Sequence, residues 1–75
     1  MYGKRGYVNL VLKNYQAALE DFNIVIELSP DDASTYYNRA ICKYYLKNTL
    51  GACQDARKAQ SLGYDASKLI KAACN

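Results

Sequence analysis

The chain has 75 residues and a mass of 8.4 kDa, room for one small domain. Charged residues make up 23% and hydrophobic letters 51%, which excludes a disordered or low-complexity segment, although Leu, Ile, Val and Phe together number only 16 of 75. The net charge of +3 carries no basic run longer than two residues (Lys4-Arg5 and Arg57-Lys58), so the clustered stripe of a nucleic-acid binder is missing, and the absence of histidine removes the commonest general base and metal ligand together.

The turn signals set the elements in chain order. Lys13-Asn14, Ser29-Pro30-Asp31-Asp32, Lys47-Asn48 and Leu62-Gly63-Tyr64-Asp65 separate five helical stretches, predicted near 2–13, 16–29, 33–46, 49–62 and 66–74. Asn14, Asn48 and Gly63 are expected in the left-handed conformation that ends a helix. Pro30 cannot continue one, and Asp31, Asp32 and Asp65 are expected as caps or first-turn acids of the next. The stretch Gly6 to Leu12 is the longest uncharged run near the start. It is too short for a membrane span and has no cleavage pattern, so neither a span nor a secretory signal is expected.

The three cysteines, at 42, 53 and 74, match no zinc-ligand spacing, and an odd count makes a poor disulfide framework. Free thiols are expected, two of them buried, with a Cys42–Cys53 bridge left open. Free thiols point to a reducing compartment, and with neither a signal nor a membrane span in the sequence a cytoplasmic setting is expected.

Sliding the chain against itself by 34 residues aligns Tyr2 with Tyr36, Arg5 with Arg39, Leu12-Lys13-Asn14 with Leu46-Lys47-Asn48, Ala18 with Ala52, Asp21 with Asp55, Leu28 with Leu62 and Asp31 with Asp65. A helix–turn–helix unit therefore occurs twice, and stacking neighbours is what buries its apolar face. Close crossings are expected at Gly6, Ala40, Ala18 and Ala52. Bulk is expected from Tyr2, Leu12, Phe22, Val25 and Leu28, then Tyr36, Leu46, Leu50 and Leu62. Ala56 and Ala59 stand where the first unit has Phe22 and Val25, so Tyr44, Tyr45 or the last helix must fill that space.

Tyr15…Ala18…Phe22…Val25…Leu28…Pro30, followed by Tyr36-Tyr37-Asn38-Arg39-Ala40 and then Ala52 and Ala59, resembles the tetratricopeptide repeat. The departures are Asn9 and Lys43 in place of the aromatic usual in mid first helix, and Gly63-Tyr64 in place of a closing Pro. The resemblance implies an all-α fold, a right-handed α-α superhelix of five helices in a single domain. Repeat 1 would span about 1–32, repeat 2 about 33–65, and a capping helix about 66–74.

It also implies a non-enzymatic scaffold whose first helices line a concave groove for a peptide or helix of a partner protein. Carried over, the groove set is Lys4, Tyr7, Val11, Ser34, Tyr37, Asn38, Ile41, Tyr45, Lys68 and Lys71. Its lysines favour an acidic ligand. One subfamily clamps a terminal carboxylate with five groups. Asn38 and Lys68 match two of those places while Gly3, Tyr7 and Ala72 occupy the others, which is not a clamp.

Catalysis is not expected, because no base stands beside a Cys or Ser nucleophile. No cofactor, metal, nucleic acid or membrane is expected as a partner. The rival reading is a self-associating structural module, or a fragment of a longer array. In it the acids of residues 20–32 would pair head to tail with the basic second half of another copy.

Overall fold

Five helices follow one another along the chain in the computed structural model, which describes residues 1–74: α1 (Tyr2–Val11), α2 (Tyr15–Leu28), α3 (Ala33–Tyr45), α4 (Thr49–Ser61) and α5 (Ser67–Ala73). Each packs on its neighbour in sequence, α1 on α2, α2 on α3, α3 on α4 and α4 on α5, and α1 also touches α3. The described residues are otherwise turns, so the fold is all-helical. No helix among them is long and apolar enough to cross a membrane.

The turns show how the sequence ends its helices. Lys13 (φ 65°) and Lys47 (φ 72°) take the left-handed conformation expected of the asparagines beside them. Asn14 and Asn48 instead occupy the N-cap positions of α2 and α4, where φ is −87° and −94°. The reason is visible at Asn48, whose Oδ1 accepts from Gly51 N–H at 3.0 Å, a bond that requires the N-cap geometry. The preceding lysine is left to make the turn. The same closure recurs after α4, where Gly63 has φ 102° and Tyr64 N–H donates to the Ala59 carbonyl at 2.9 Å. Asp32, rather than Asp31, caps α3, its Oδ1 accepting from Thr35 N–H and, at 2.8 Å, from Ser34 Oγ. Asp65 Oδ1 accepts from Ser67 N–H at 3.1 Å, while Ala66 holds the N-cap position of α5.

Two apolar clusters hold the helices together. Ala18, Phe22 and Cys42 join α2 to α3, with Leu10 and Leu19 packed against them. Tyr36, Ala40, Ala56, Ala59 and Ala66 form the second, flanked by Ile26, Tyr37, Leu62, Leu69 and Ile70. The space left by Ala56 and Ala59 is therefore filled from α5. Four leucines expected in the core lie outside it: Leu12, Leu28, Leu46 and Leu50 are 64%, 73%, 38% and 71% exposed. They sit at helix ends, beyond the reach of the neighbouring helix. Gly6 lies against Phe22 so closely that an added Cβ would come within 2.7 Å of the ring.

The identities at the 34-residue offset carry a repeated polar unit. Arg5 donates twice to buried Asp21, from Nε at 3.0 Å and Nη2 at 2.7 Å, and its guanidinium lies 5.2 Å from the Tyr2 ring centre. Arg39 donates twice to buried Asp55, at 2.8 Å each, and lies 5.5 Å from the Tyr36 ring centre. Asn9 and Lys43, the two departures from the aromatic pattern, supply a further group to each aspartate. Asn9 Nδ2 donates to Asp21 at 3.4 Å, and Lys43 Nζ lies 3.0 Å from Asp55.

These contacts predict acid sensitivity. The hydrogen bonds from Arg5 hold the Asp21 carboxyl below its ordinary value of 3.8, and those from Ser34 and Thr35 do the same for Asp32. A carboxyl depressed in the folded state stabilises it above the ordinary value and loses that contribution as pH falls through the folded one. The urea midpoint is therefore expected to fall between about pH 5 and pH 2, and to fall less in the Asp21→Asn, Asp32→Asn double variant. Equal slopes for both chains would contradict the assignment.

Candidate groove between α3 and α5

Helical spacing places Tyr37, Ile41, Tyr44 and Tyr45 on one side of α3. Lys68, Leu69 and Ala72 face them from α5 across an open groove of about 310 Å³. A second depression of about 270 Å³, lined by Tyr37, Asp65, Ala66, Ser67, Lys68 and Leu69, continues it around the start of α5. Ring pairs brace both ends. Tyr37 lies on Tyr64 with centres 4.7 Å apart, and Tyr45 stacks on Tyr15 at 4.9 Å with planes 11° apart. Tyr44 meets Tyr45 edge-on at 5.5 Å. Such pairing fixes the rings before any ligand arrives, which lowers the entropy lost on binding.

Lys68 is the cation of the groove wall, and Asp65 stands beside it in the second depression. The hydrogen bonds from Ser67 hold the Asp65 carboxyl below its ordinary value, so this end of the groove carries both signs of charge. The chemistry on offer is an apolar aromatic cleft with one charged end.

Of the ten residues expected to share a groove, Tyr37, Ile41, Tyr45 and Lys68 come together. Lys4, Tyr7, Val11, Ser34, Asn38 and Lys71 line neither depression. Lys4, Tyr7 and Val11 lie exposed on α1, which also touches α3. Ser34 is engaged with Asp32 at 2.8 Å, and Lys71 is exposed away from the lining. Tyr44, Leu69 and Ala72 were not expected in the lining. Tyr44 was legible, since it follows Ile41 by three residues and Tyr37 by seven. Leu69 serves two uses, half-buried against the second cluster while facing the groove.

The cysteines correct another expectation. Cys53 and Cys74 form a disulfide with Cα atoms 5.0 Å apart, and Cys42 alone is free. The Cys42–Cys53 alternative is also excluded, because Cys42 faces Ala18 and Phe22 while Cys53 faces the end of α5. The free-thiol argument for a reducing compartment goes with it.

Fold and groove together define an all-helical chain of stacked helix pairs with an open aromatic cleft. No profile of a known protein family matches it. It is similar to the protein SGT1 homolog of Bos taurus, with 31% identity over 61 residues, 81% of this chain and 18% of that protein. The protein SGT1 homolog of Homo sapiens is matched over the same length at 31% identity, 17% of its own chain. The chain thus spans less than a fifth of the length of these two relatives.

Proposed function

We propose that the chain is a non-enzymatic protein-interaction module of the tetratricopeptide type. It is read as one domain of two repeats, about 1–32 and 33–65, closed by a helix over about 66–74. The groove between α3 and α5 receives a peptide or short helix of a partner protein, an apolar side chain lying among Tyr37, Ile41 and Tyr45 and an acidic group near Lys68. The observation that carries the reading is the set of pre-ordered tyrosine rings along an open cleft with a lysine at its wall. Aromatic anchors of this kind dominate binding energy at interfaces.

Titration with peptides carrying one large apolar residue beside Asp or Glu tests it. Shifts are expected at Tyr37, Ile41, Tyr45 and Lys68, and Tyr37→Ala is expected to weaken binding about tenfold or more. Shifts confined to α1 or to the outer face of α4 would reject the groove.

A second reading, self-association, is favoured by one observation. Tyr7, Val8, Val11 and Leu12 expose 56%, 55%, 62% and 64% of their surface along one short helix. Sedimentation across a wide concentration range separates the two, since a strict monomer leaves only the adaptor reading.

A further inference from the structure

We propose that the Cys53–Cys74 disulfide is a thiol-exchange site, opened by a dithiol reductant, that latches α5 onto α4. Three features lead there. The bond joins the body of α4 to the residue directly after α5, and both cysteines are half-buried, within reach of an attacking thiolate. Secondly, α5 has little else to hold it. It is seven residues long with no fully buried residue, a length at which an isolated helix does not persist in water. Its non-covalent attachments gather at its start: Ala66 N–H donates to Gln60 Oε1 at 2.7 Å, and Leu69 and Ile70 rest on the second cluster. The disulfide holds the other end. Thirdly, the remaining thiol cannot take over as a partner. Cys42 is fully buried, and that burial pushes its thiol up to about 11.

The chemistry balances within the reactants named. One thiolate of the dithiol attacks a sulfur of the pair, breaking the S–S bond and forming a mixed disulfide. The displaced cysteine leaves as thiolate and takes a proton. The second thiol of the reagent then closes on the first, releasing the other cysteine as a thiol. The dithiol ends as a cyclic disulfide, and its two electrons reside on Cys53 and Cys74.

Opening the bond frees the end of a short helix whose residues are half-buried or exposed. Release of α5 uncovers the alanine floor at Ala56 and Ala59 and removes Lys68, Leu69 and Ala72 from the groove wall. The consequence for ligand binding rests on the groove reading above, whereas the release of α5 does not.

Amide hydrogen exchange on the whole chain, oxidised and then reduced with dithiothreitol, tests the latch, with intact mass reporting the state of the pair. Amides of Ile70 to Ala73, the hydrogen-bonded ones of α5, are expected to exchange roughly a hundredfold faster after reduction, the scale set by loss of a cross-link over a loop of this size. Amides of Phe22 and Ala40 are expected to stay protected. The Cys53→Ser chain is expected to behave as reduced without any reagent. Unchanged exchange in α5 after confirmed reduction would overturn the latch, as would simultaneous loss of protection at Phe22, which marks a purely structural cross-link. Ready labelling of Cys53 and Cys74 by a maleimide in the untreated chain would overturn it too. Peptide titration of both states keeps the two readings apart: loosened α5 amides with undiminished peptide affinity support the latch and reject the groove.

Discussion

Phe22→Ala is expected to cost about 3–5 kcal/mol, most or all of the stability that a domain of this size commands. Phe22 is 1% exposed and is the largest fully buried side chain described. Its ring fills the space that Gly6 leaves on α1, so truncation opens a cavity that the short apolar neighbours Ala18 and Cys42 cannot close. Urea denaturation followed by circular dichroism reads the loss, and a midpoint within error of the parent would contradict the packing described. The Gly6 contact gives a second, sharper test. Gly6→Ala alone drives a methyl into the ring and is expected to destabilise. In the Phe22→Ala background the clash is gone, and the same change is expected to stabilise by up to about 1 kcal/mol, the helix-forming advantage of alanine over glycine. The second unit already holds that combination, with Ala40 and Ala56 at the equivalent positions, both fully buried.

The next largest effect is expected at Asp55. Its carboxylate accepts two bonds from Arg39 and lies within 3.0 Å of Lys43 Nζ, while the Arg39 and Lys43 side chains are only 19% and 21% exposed. Asp55→Ala leaves two cations facing each other without compensation, at a cost of about 3–5 kcal/mol for a partner removed from a buried pair. Asp21→Ala is expected to cost less, because Arg5 is 63% exposed and water replaces the lost carboxylate. Paired denaturation curves decide it. Equal losses at the two sites would mean that exposure of the arginine is not what separates them.

The matching positions of the two units were visible in the sequence before any coordinate. What they bind to was not. Tyr2 with Tyr36, Arg5 with Arg39 and Asp21 with Asp55 appear as three separate identities, yet in space each set is one ring, guanidinium and carboxylate in contact. Nothing in a linear pattern says that a carboxylate sixteen residues on, such as Asp55, faces a given arginine. Leu12 and Leu46 match for a different reason: both follow the last residue of a helix, where position in the unit is shared but shelter from water is not. In the sequence the exchange of Gly6 and Phe22 for Ala40 and Ala56 looks like two unrelated substitutions, although one compensates the other.

The candidate groove was half legible. The resemblance supplies all ten residues as one set, and Tyr37, Ile41, Tyr45 and Lys68 of them line the depression between α3 and α5, while Lys4, Tyr7 and Val11 lie on α1 outside it. The Cys53–Cys74 pairing lay beyond the sequence, since the gap of 21 residues is set by how the chain doubles back after Gly63.

The chain has no tryptophan and eight tyrosines. Five of those phenols, at 15, 37, 44, 45 and 64, form the face-to-face and edge-on contacts in and beside the cleft. Near-ultraviolet absorption and emission of the unlabelled molecule therefore come mostly from the cleft and its edges. An occupant of the cleft is expected to perturb that ultraviolet signal, with no dye attached.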